Sequence, residues 1–297
     1  MTLNKLGEFG IIDKIRRATR TDASVLKGIG DDTAVLRGDA KNVILFTTDM
    51  LIEGRHFLLN KASAYEIGWK SMAVNVSDIA AMGGLPTHAV AAVGLPGKLS
   101  AHFIDELYKG MRAVAARFKI NLVGGDTNRA DKLILSVAML GKAKKAVLRS
   151  GAKANDVIFV SGALGGSYRS KRHLRFVPRV KESQFLVNKF KINAMMDISD
   201  GLASDIHRLT EESKVGALIY KEQIPVNRGA TFKQALGEGE DFELLFTTSP
   251  GEAVKIARHK NFHVVGQIVN KKKGVRIADV SGKSRPLSAK GFDHFRT

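Results

Sequence analysis

Asn75-Val76-Ser77-Asp78-Ile79-Ala80-Ala81-Met82-Gly83-Gly84 is the stretch around which the rest of the chain is organised. Together with Ala64, Ile67 and Met72, its residues Val76 and Ile79 form an apolar stripe at helical spacing. The spacing predicts a helix that begins near Ser63 and stops at Gly83-Gly84. One carboxylate, Asp78, interrupts this small, apolar segment. A buried carboxylate is costly unless something pairs with it, so Asp78 is either a cap or surface residue, or one member of a charged site.

Other isolated acids bear on that choice. Asn42 to Thr48 reads as a strand ending in Asp49, with Glu53, Arg55 and His56 in the loop beyond. Gly28-Ile29-Gly30-Asp31-Asp32-Thr33 is a tight loop whose backbone can approach a ligand. It is no dinucleotide fingerprint, because Thr33 stands where the third glycine belongs. Asn121-Leu122-Val123 reads as a strand running into Gly124-Gly125-Asp126, where exposed amides beside a carboxylate suit a phosphate and its metal, or form a simple turn. Met195-Met196-Asp197-Ile198-Ser199-Asp200-Gly201 is a short apolar strand end with two acids, followed by a predicted helix over 202–213. There, Ser199 or Asp200 is also a natural helix cap. Tyr108 lies near the apolar face of a helix predicted over 103–118 and reads as a core or edge tyrosine.

Ends of strands are where α/β proteins build sites. Acids gathered there repel one another unless cations separate them. Carboxylates with nearby hydroxyls such as Thr47, Thr48 and Ser199 are hard oxygen ligands that suit Mg²⁺ and its phosphate partners. The pattern points to Mg²⁺-dependent nucleotide or phosphoryl chemistry. The usual phosphate motifs are absent. Ser281-Gly282-Lys283-Ser284 resembles the end of a P-loop, but Ile277 occupies its first glycine position.

Composition sets the outer bounds. The chain has 297 residues, 44% of them hydrophobic, which suits two domains rather than one core. Arg149-Ser150-Gly151-Ala152-Lys153 marks the expected boundary, dividing residues 1–148 from 149–297. No run of 18 apolar residues is present, and Met1 to Phe9 lacks the apolar core of a signal peptide. There are no cysteines, so disulfides, thiolate metal sites and cysteine nucleophiles are excluded. A cytoplasmic location is the default expectation. Lys and Arg number 47 against 29 Asp and Glu, a formal charge of +18. They crowd 142–153, 169–191 and 255–273. A nucleic-acid surface is one reading. Without aromatic interleaving or a nucleic-acid motif, a solvated basic face that attracts small anions is the preferred one.

Taken in order, GEFGIIDKI, GIGDDTAVL, TTDMLIEGRHF, AVNVSDIAAMGGLP, LVGGDTNR, RSGAKANDVIFVSG, MDISDGLASDI, GEDFELLF and GFDHF resemble the bacterial thiamine-monophosphate kinase family, within the aminoimidazole ribonucleotide synthetase superfamily. The likeness runs from Gly7 to Phe295. It implies a mixed α/β (α+β) fold of two domains: an N-terminal β-sheet domain with helices that binds ATP and metal and dimerises, and a C-terminal α/β domain that completes the site. The implied reaction is Mg²⁺-assisted, direct in-line transfer from ATP to thiamine monophosphate, giving thiamine diphosphate. Several Mg²⁺ ions and a homodimer are implied as well.

By motif position, Asp32, Thr47, Thr48, Asp49, Asp78, Asp126, Asp197 and Asp200 would ligate metal. Tyr108, Gly125, Asp126, Arg149 and Ser199 would face ATP, and His56, Glu240 and Phe292 the thiamine moiety. The aromatic face of Phe292 suits a cationic thiazolium. Two segments depart from the family pattern. The stretch after Gly166-Ser167 and that from Lys221 to Gly239 are short, so aromatic substrate contacts are expected to be missing, and the basic surface is unaccounted for. Selenophosphate synthetase and the hydrogenase-maturation sibling need a cysteine or selenocysteine that this chain lacks. An amidine-forming purine synthetase is the alternative within the superfamily, and a basic nucleic-acid-binding protein the alternative outside it.

Overall fold

A computed structural model describes residues 2–289, 291, 292, 294 and 295; Asp293 of the GFDHF motif lies outside them. The first half runs α1 (Leu3–Ala18), β1 (Val25–Lys27), β2 (Ala34–Leu36), β3 (Val43–Ile52), α2 (Ala64–Ala81), β4 (Leu85–Leu95), α3 (Ala101–Phe118), β5 (Asn121–Arg129) and β6 (Ile134–Ala143). Its strands form one mixed sheet in the order β1-β2-β3-β6-β4-β5. The second half runs β7 (Val157–Val160), α4 (Arg172–Arg175), α5 (Val180–Lys189), β8 (Ile192–Asp197), α6 (Leu202–Ser213), β9 (Gly216–Tyr220), α7 (Phe232–Gly237), β10 (Leu244–Thr248), α8 (Pro250–Ile256), β11 (His263–Val269), β12 (Val275–Ala278) and β13 (Ser284–Pro286). They build a second sheet, β13-β12-β9-β11-β7-β10-β8. The architecture is thus the expected mixed α/β fold with one sheet in each half. Among the described residues no helix is long and apolar enough to cross a membrane.

Helix α2 joins the halves. Ser63 caps it, accepting from the Glu66 amide at 3.2 Å, while Glu66 Oε2 accepts from the Ser63 amide at 2.8 Å. This reciprocal box satisfies two of the amide donors that a helix start leaves open. A single apolar stripe predicts one buried face, yet buried residues lie on every side of α2. A helix covered all round is one packed between layers. Sheet and α3 lie on one side. From the other, Ser183 Oγ donates to the Ala80 carbonyl at 2.6 Å, and Trp69 Nε1 donates to the Phe176 carbonyl at 2.8 Å.

The crossing of α2 and α3 depends on two glycines. A Cβ at Gly68 would lie 1.9 Å from the Leu107 carbonyl oxygen, and one at Gly110 would lie 2.0 Å from that of Tyr65. Neither obstacle is a side chain that can rotate away. Gly110→Ala is therefore expected to lower stability by about 3 kcal/mol, the upper range for overpacking. Urea denaturation measures this loss.

The face of the first sheet turned away from α2 and α3 is open. Phe46 and Met50 on β3, Val90 on β4 and Val123 on β5 stand 44, 52, 43 and 62% exposed. Strand β5 closes the sheet as an edge, and residues on both its faces are exposed. Gly124-Gly125-Asp126, read above as a loop or turn, lies within this strand, paired in register with Val90, Ala91 and Ala92. The ladder to β4 holds the segment extended.

The basic stretch 169–191 also differs from expectation. Arg172 pairs with the buried Asp241, Arg175 Nε meets Glu66 Oε1 at 2.5 Å, and Arg179 Nη2 meets Glu243 Oε1 at 2.5 Å. Three of its arginines thus neutralise acids of the protein itself. The positive charge here is partly internal bookkeeping of α4 and α5, not wholly a solvated face.

Candidate functional site

A cavity of about 940 Å³ opens between the halves. Asp32 comes from the loop before β2, Asp49 from β3, Asp78 from α2 and Asp197 from the end of β8. Oxygens of Asp32, Asp78 and Asp197 lie within 4.8 Å of one another. Asp49 is not at a strand end, because β3 continues to Ile52. It shares the inward row of Leu45, Thr47 and Leu51, with its amide donating to Asn75 Oδ1 at 3.1 Å. Thr47 Oγ1 donates to Asp78 Oδ2 at 2.6 Å, and Ser77 Oγ donates to Asp197 Oδ2 at 2.5 Å. Thr48 takes the other face of the strand and is exposed.

The acids cannot all ionise comfortably. Burial, then Glu240 and Asp200, push Asp49 up to about 6. Burial and the charge of Asp32 push Asp197 up to about 7, against the Ser77 hydroxyl. Asp78 is raised well above its ordinary value by burial and by Asp49, Asp197 and Asp32. Asp32 Oδ2 is buried with no hydrogen-bond partner, while Oδ1 meets Arg149 Nη2 at 2.5 Å. Burial alone would lower the Arg149 guanidinium, but Asp32 beside it holds it raised. Clustered carboxylates with an unsatisfied buried oxygen are the donor set a hard divalent cation requires, so these residues fit Mg²⁺.

Twelve of the residues singled out in the sequence line this one cavity: Asp32, Thr47, Thr48, Asp49, His56, Asp78, Arg149, Asp197, Ser199, Asp200, Glu240 and Phe292. His56 Nδ1 accepts from the Ile52 amide at 2.9 Å, which leaves the proton of the neutral ring on Nε2. Burial, with Lys70 and His294 nearby, lowers its pKa to about 4, so the ring stays neutral near pH 7. Asp200 is held by Arg208, whose Nη2 lies 2.5 Å from its Oδ2.

Tyr108, Gly125 and Asp126 are not among the residues lining the cavity. Tyr108 packs on the core from α3. Asp126 is exposed on the open sheet face, its carboxylate accepting from the Thr127 amide at 2.9 Å and Asn128 Nδ2 at 2.5 Å. Three strand spacings, about 14 Å, separate its strand from β3.

Several lining residues carried no functional signal in the sequence. Arg208 faces Asp205 at i+3 on α6 and stacks over Phe9 of α1 at 3.9 Å. Arg16 reaches Glu212 at 2.5 Å, so α1 walls one side of the cavity. Tyr168 lines it from the shortened segment, supplying an aromatic ring where none was expected. Only the Asp205-x-x-Arg208 spacing could have been read locally; the rest are long-range pairings.

The chain is similar to known proteins over nearly its whole length. Residues 30–143 match the family model of the AIR synthase related protein N-terminal domain, and residues 133–279 that of the C-terminal domain. Thiamine-monophosphate kinase of Bacillus subtilis (strain 168) is 35% identical, over 98% of this chain and 100% of its own length. That of Aquifex aeolicus (strain VF5) is 34% identical, over 99% and 100%. A solved structure described as "AaThiL complexed with AMPPCP and TMP" superposes with a TM-score of 0.88 at 33% identity, covering 99% of each chain. On its fold, its two matched domains and its full-length likeness to these enzymes, the chain belongs to the thiamine-monophosphate kinase family of AIR synthase related proteins.

Proposed function

We propose that this protein transfers the γ-phosphoryl group of ATP to the phosphate of thiamine monophosphate, giving thiamine diphosphate and ADP. One observation carries the reading: a single cavity gathers an acid cluster and, in the same wall lining, His56, Glu240 and Phe292. The first arrangement suits phosphates and the second an organic cation. Asp32, Asp49, Asp78 and Asp197, with Asp200, would hold Mg²⁺. Bound there, Mg²⁺ would neutralise charge on the oxygens of the transferring group. Arg149 adds a fixed positive charge beside Asp32. An acceptor phosphate oxygen is already nucleophilic, so no side chain needs to act as a general base, and alignment is the chain's main contribution. Direct in-line transfer without a phosphoenzyme follows.

We further infer a homodimer in which the open sheet faces meet. Exposed Phe46, Met50, Val90 and Val123 form an apolar surface of the kind that marks a protein interface. Gly125 and Asp126, on the edge strand, would then serve the cavity of the partner subunit. On this reading residues 1–148 bind ATP and metal and dimerise, and residues 149–297 complete the site.

The test is ATP consumption with thiamine monophosphate, thiamine and formylglycinamidine ribonucleotide, each with and without Mg²⁺. Turnover is expected only with the first, and only with Mg²⁺. Turnover with the ribonucleotide instead would favour the amidine-forming alternative.

A further inference from the structure

Lys70, Val74 and Asp78 follow one another along α2 at i, i+4 and i+8. Val74 and Asp78 line the cavity, but Lys70 does not. Its side chain is fully buried. The ammonium donates to the His56 carbonyl at 3.0 Å and pairs with Glu240 Oε2. Lys70 lies about 12 Å along the helix from Asp78, and both of its partners form part of the cavity wall. Lys70 therefore stands behind two substrate-end residues at once.

A buried ion pair is poor evidence of a stabilising role, because apolar residues of similar volume usually do as well or better. A methionine would suit the apolar interior of α2 here, with Trp69, Ala73 and Val74 beside it. The ammonium also holds a difficult conformation. Glu240 has φ +57°, in the left-handed region that non-glycine residues avoid. Its amide donates to the Ser199 carbonyl at 2.6 Å. The backbone is thus pinned on one side and the carboxylate on the other, which leaves Glu240 a single placement.

We propose that Lys70 is a positioning residue that fixes Glu240, and with it the turn that carries His56, against the phosphate-acceptor substrate. It sets affinity and selectivity for that substrate and not the transfer step. This rests on the reading that His56 and Glu240 face the acceptor. It adds a residue of α2 that couples the acceptor end of the cavity to the helix carrying the acid cluster.

The experiment compares Lys70→Met, Glu240→Gln and the double variant in steady-state assays with thiamine monophosphate and MgATP. Lys70→Met is expected to raise KM for thiamine monophosphate at least about tenfold, with kcat within about threefold and KM for MgATP unchanged. If Lys70 acts through Glu240, the double variant will have the acceptor KM of Glu240→Gln alone, within about twofold. A folded Lys70→Met with unchanged acceptor KM overturns the proposal, as does loss of kcat and both affinities in parallel. Multiplicative effects in the double variant overturn it too. Should Lys70→Met fail to fold because Glu240 is left unpaired, the double variant removes that charge and carries the test. Failure of both to fold assigns Lys70 to the fold alone. A wild-type enzyme inert toward thiamine monophosphate would bring down the functional reading and this inference with it, whereas an active wild type with an indifferent Lys70→Met brings down the inference only.

Discussion

Asp78→Asn is expected to cut turnover at least about 10³-fold, the scale of several kcal/mol of lost metal-assisted charge stabilisation, and yet to raise the melting temperature of the metal-free protein. The two effects have one cause. Asp78, Asp32 and Asp197 crowd their oxygens within 4.8 Å, an arrangement a divalent cation rewards and its absence penalises. Asparagine keeps an oxygen for the Thr47 hydroxyl, 2.6 Å away in the wild type, and removes the charge.

The pH dependence gives the sign independently. A carboxyl whose folded pKa is raised binds its proton more tightly folded than unfolded, so its contribution is present at low pH and fades as pH rises. Asp49 and Asp197 move from 3.8 to about 6 and about 7. The metal-free wild type should therefore lose stability as pH climbs from about 4 through about 7. The advantage of Asp78→Asn should widen over the same window. Added Mg²⁺ should raise the wild-type melting temperature at pH 8 and barely move that of the variant, since only a species that binds the folded state stabilises it. Thermal melts with and without Mg²⁺ at pH 5 and pH 8 test this. A variant with turnover within tenfold of wild type, or with an undiminished Mg²⁺ shift, would remove Asp78 from the metal site.

The acids of this cluster were legible in the sequence because each stands in an apolar or glycine-rich setting, where a charge needs a reason. The helix over 202–213 was legible to the residue, because its apolar periodicity starts at a glycine, Gly201. What escaped was non-local. Arg172, Arg175 and Arg179 look like a basic run until Asp241, Glu66 and Glu243 are seen opposite them, and the pattern of α4 and α5 is set by those partners. Glu240 and Phe242 adopt positive φ without being glycine; tertiary contacts impose this and no local signal announces it. Lys70 reads as one more charge on a helix until it proves fully buried. Strands β1, β2 and β13 have three residues each, too short for any period to register.

Asp126 poses the sharpest remaining test, because motif position assigns it to the metal while the fold sets it about 14 Å from β3 on an open face. If it serves the partner's cavity, two dead variants should revive each other. Asp126→Asn and Asp197→Asn are each expected to be inactive as homodimers. In a mixed dimer, one site combines Asp197 of the first variant with Asp126 of the second and is wholly wild type; the other site carries both substitutions. Random reassortment makes half the dimers mixed, each with one good site of two, so activity should return to about a quarter of wild type. Val123→Lys, placing a charge on the 62% exposed edge position, should block both dimerisation and recovery. Mixing after dissociation and refolding, with sedimentation to follow assembly, decides the matter. A mixture that stays inactive while mixed dimers form would place Asp126 outside the site, and a fully active monomer would overturn the shared-site reading altogether.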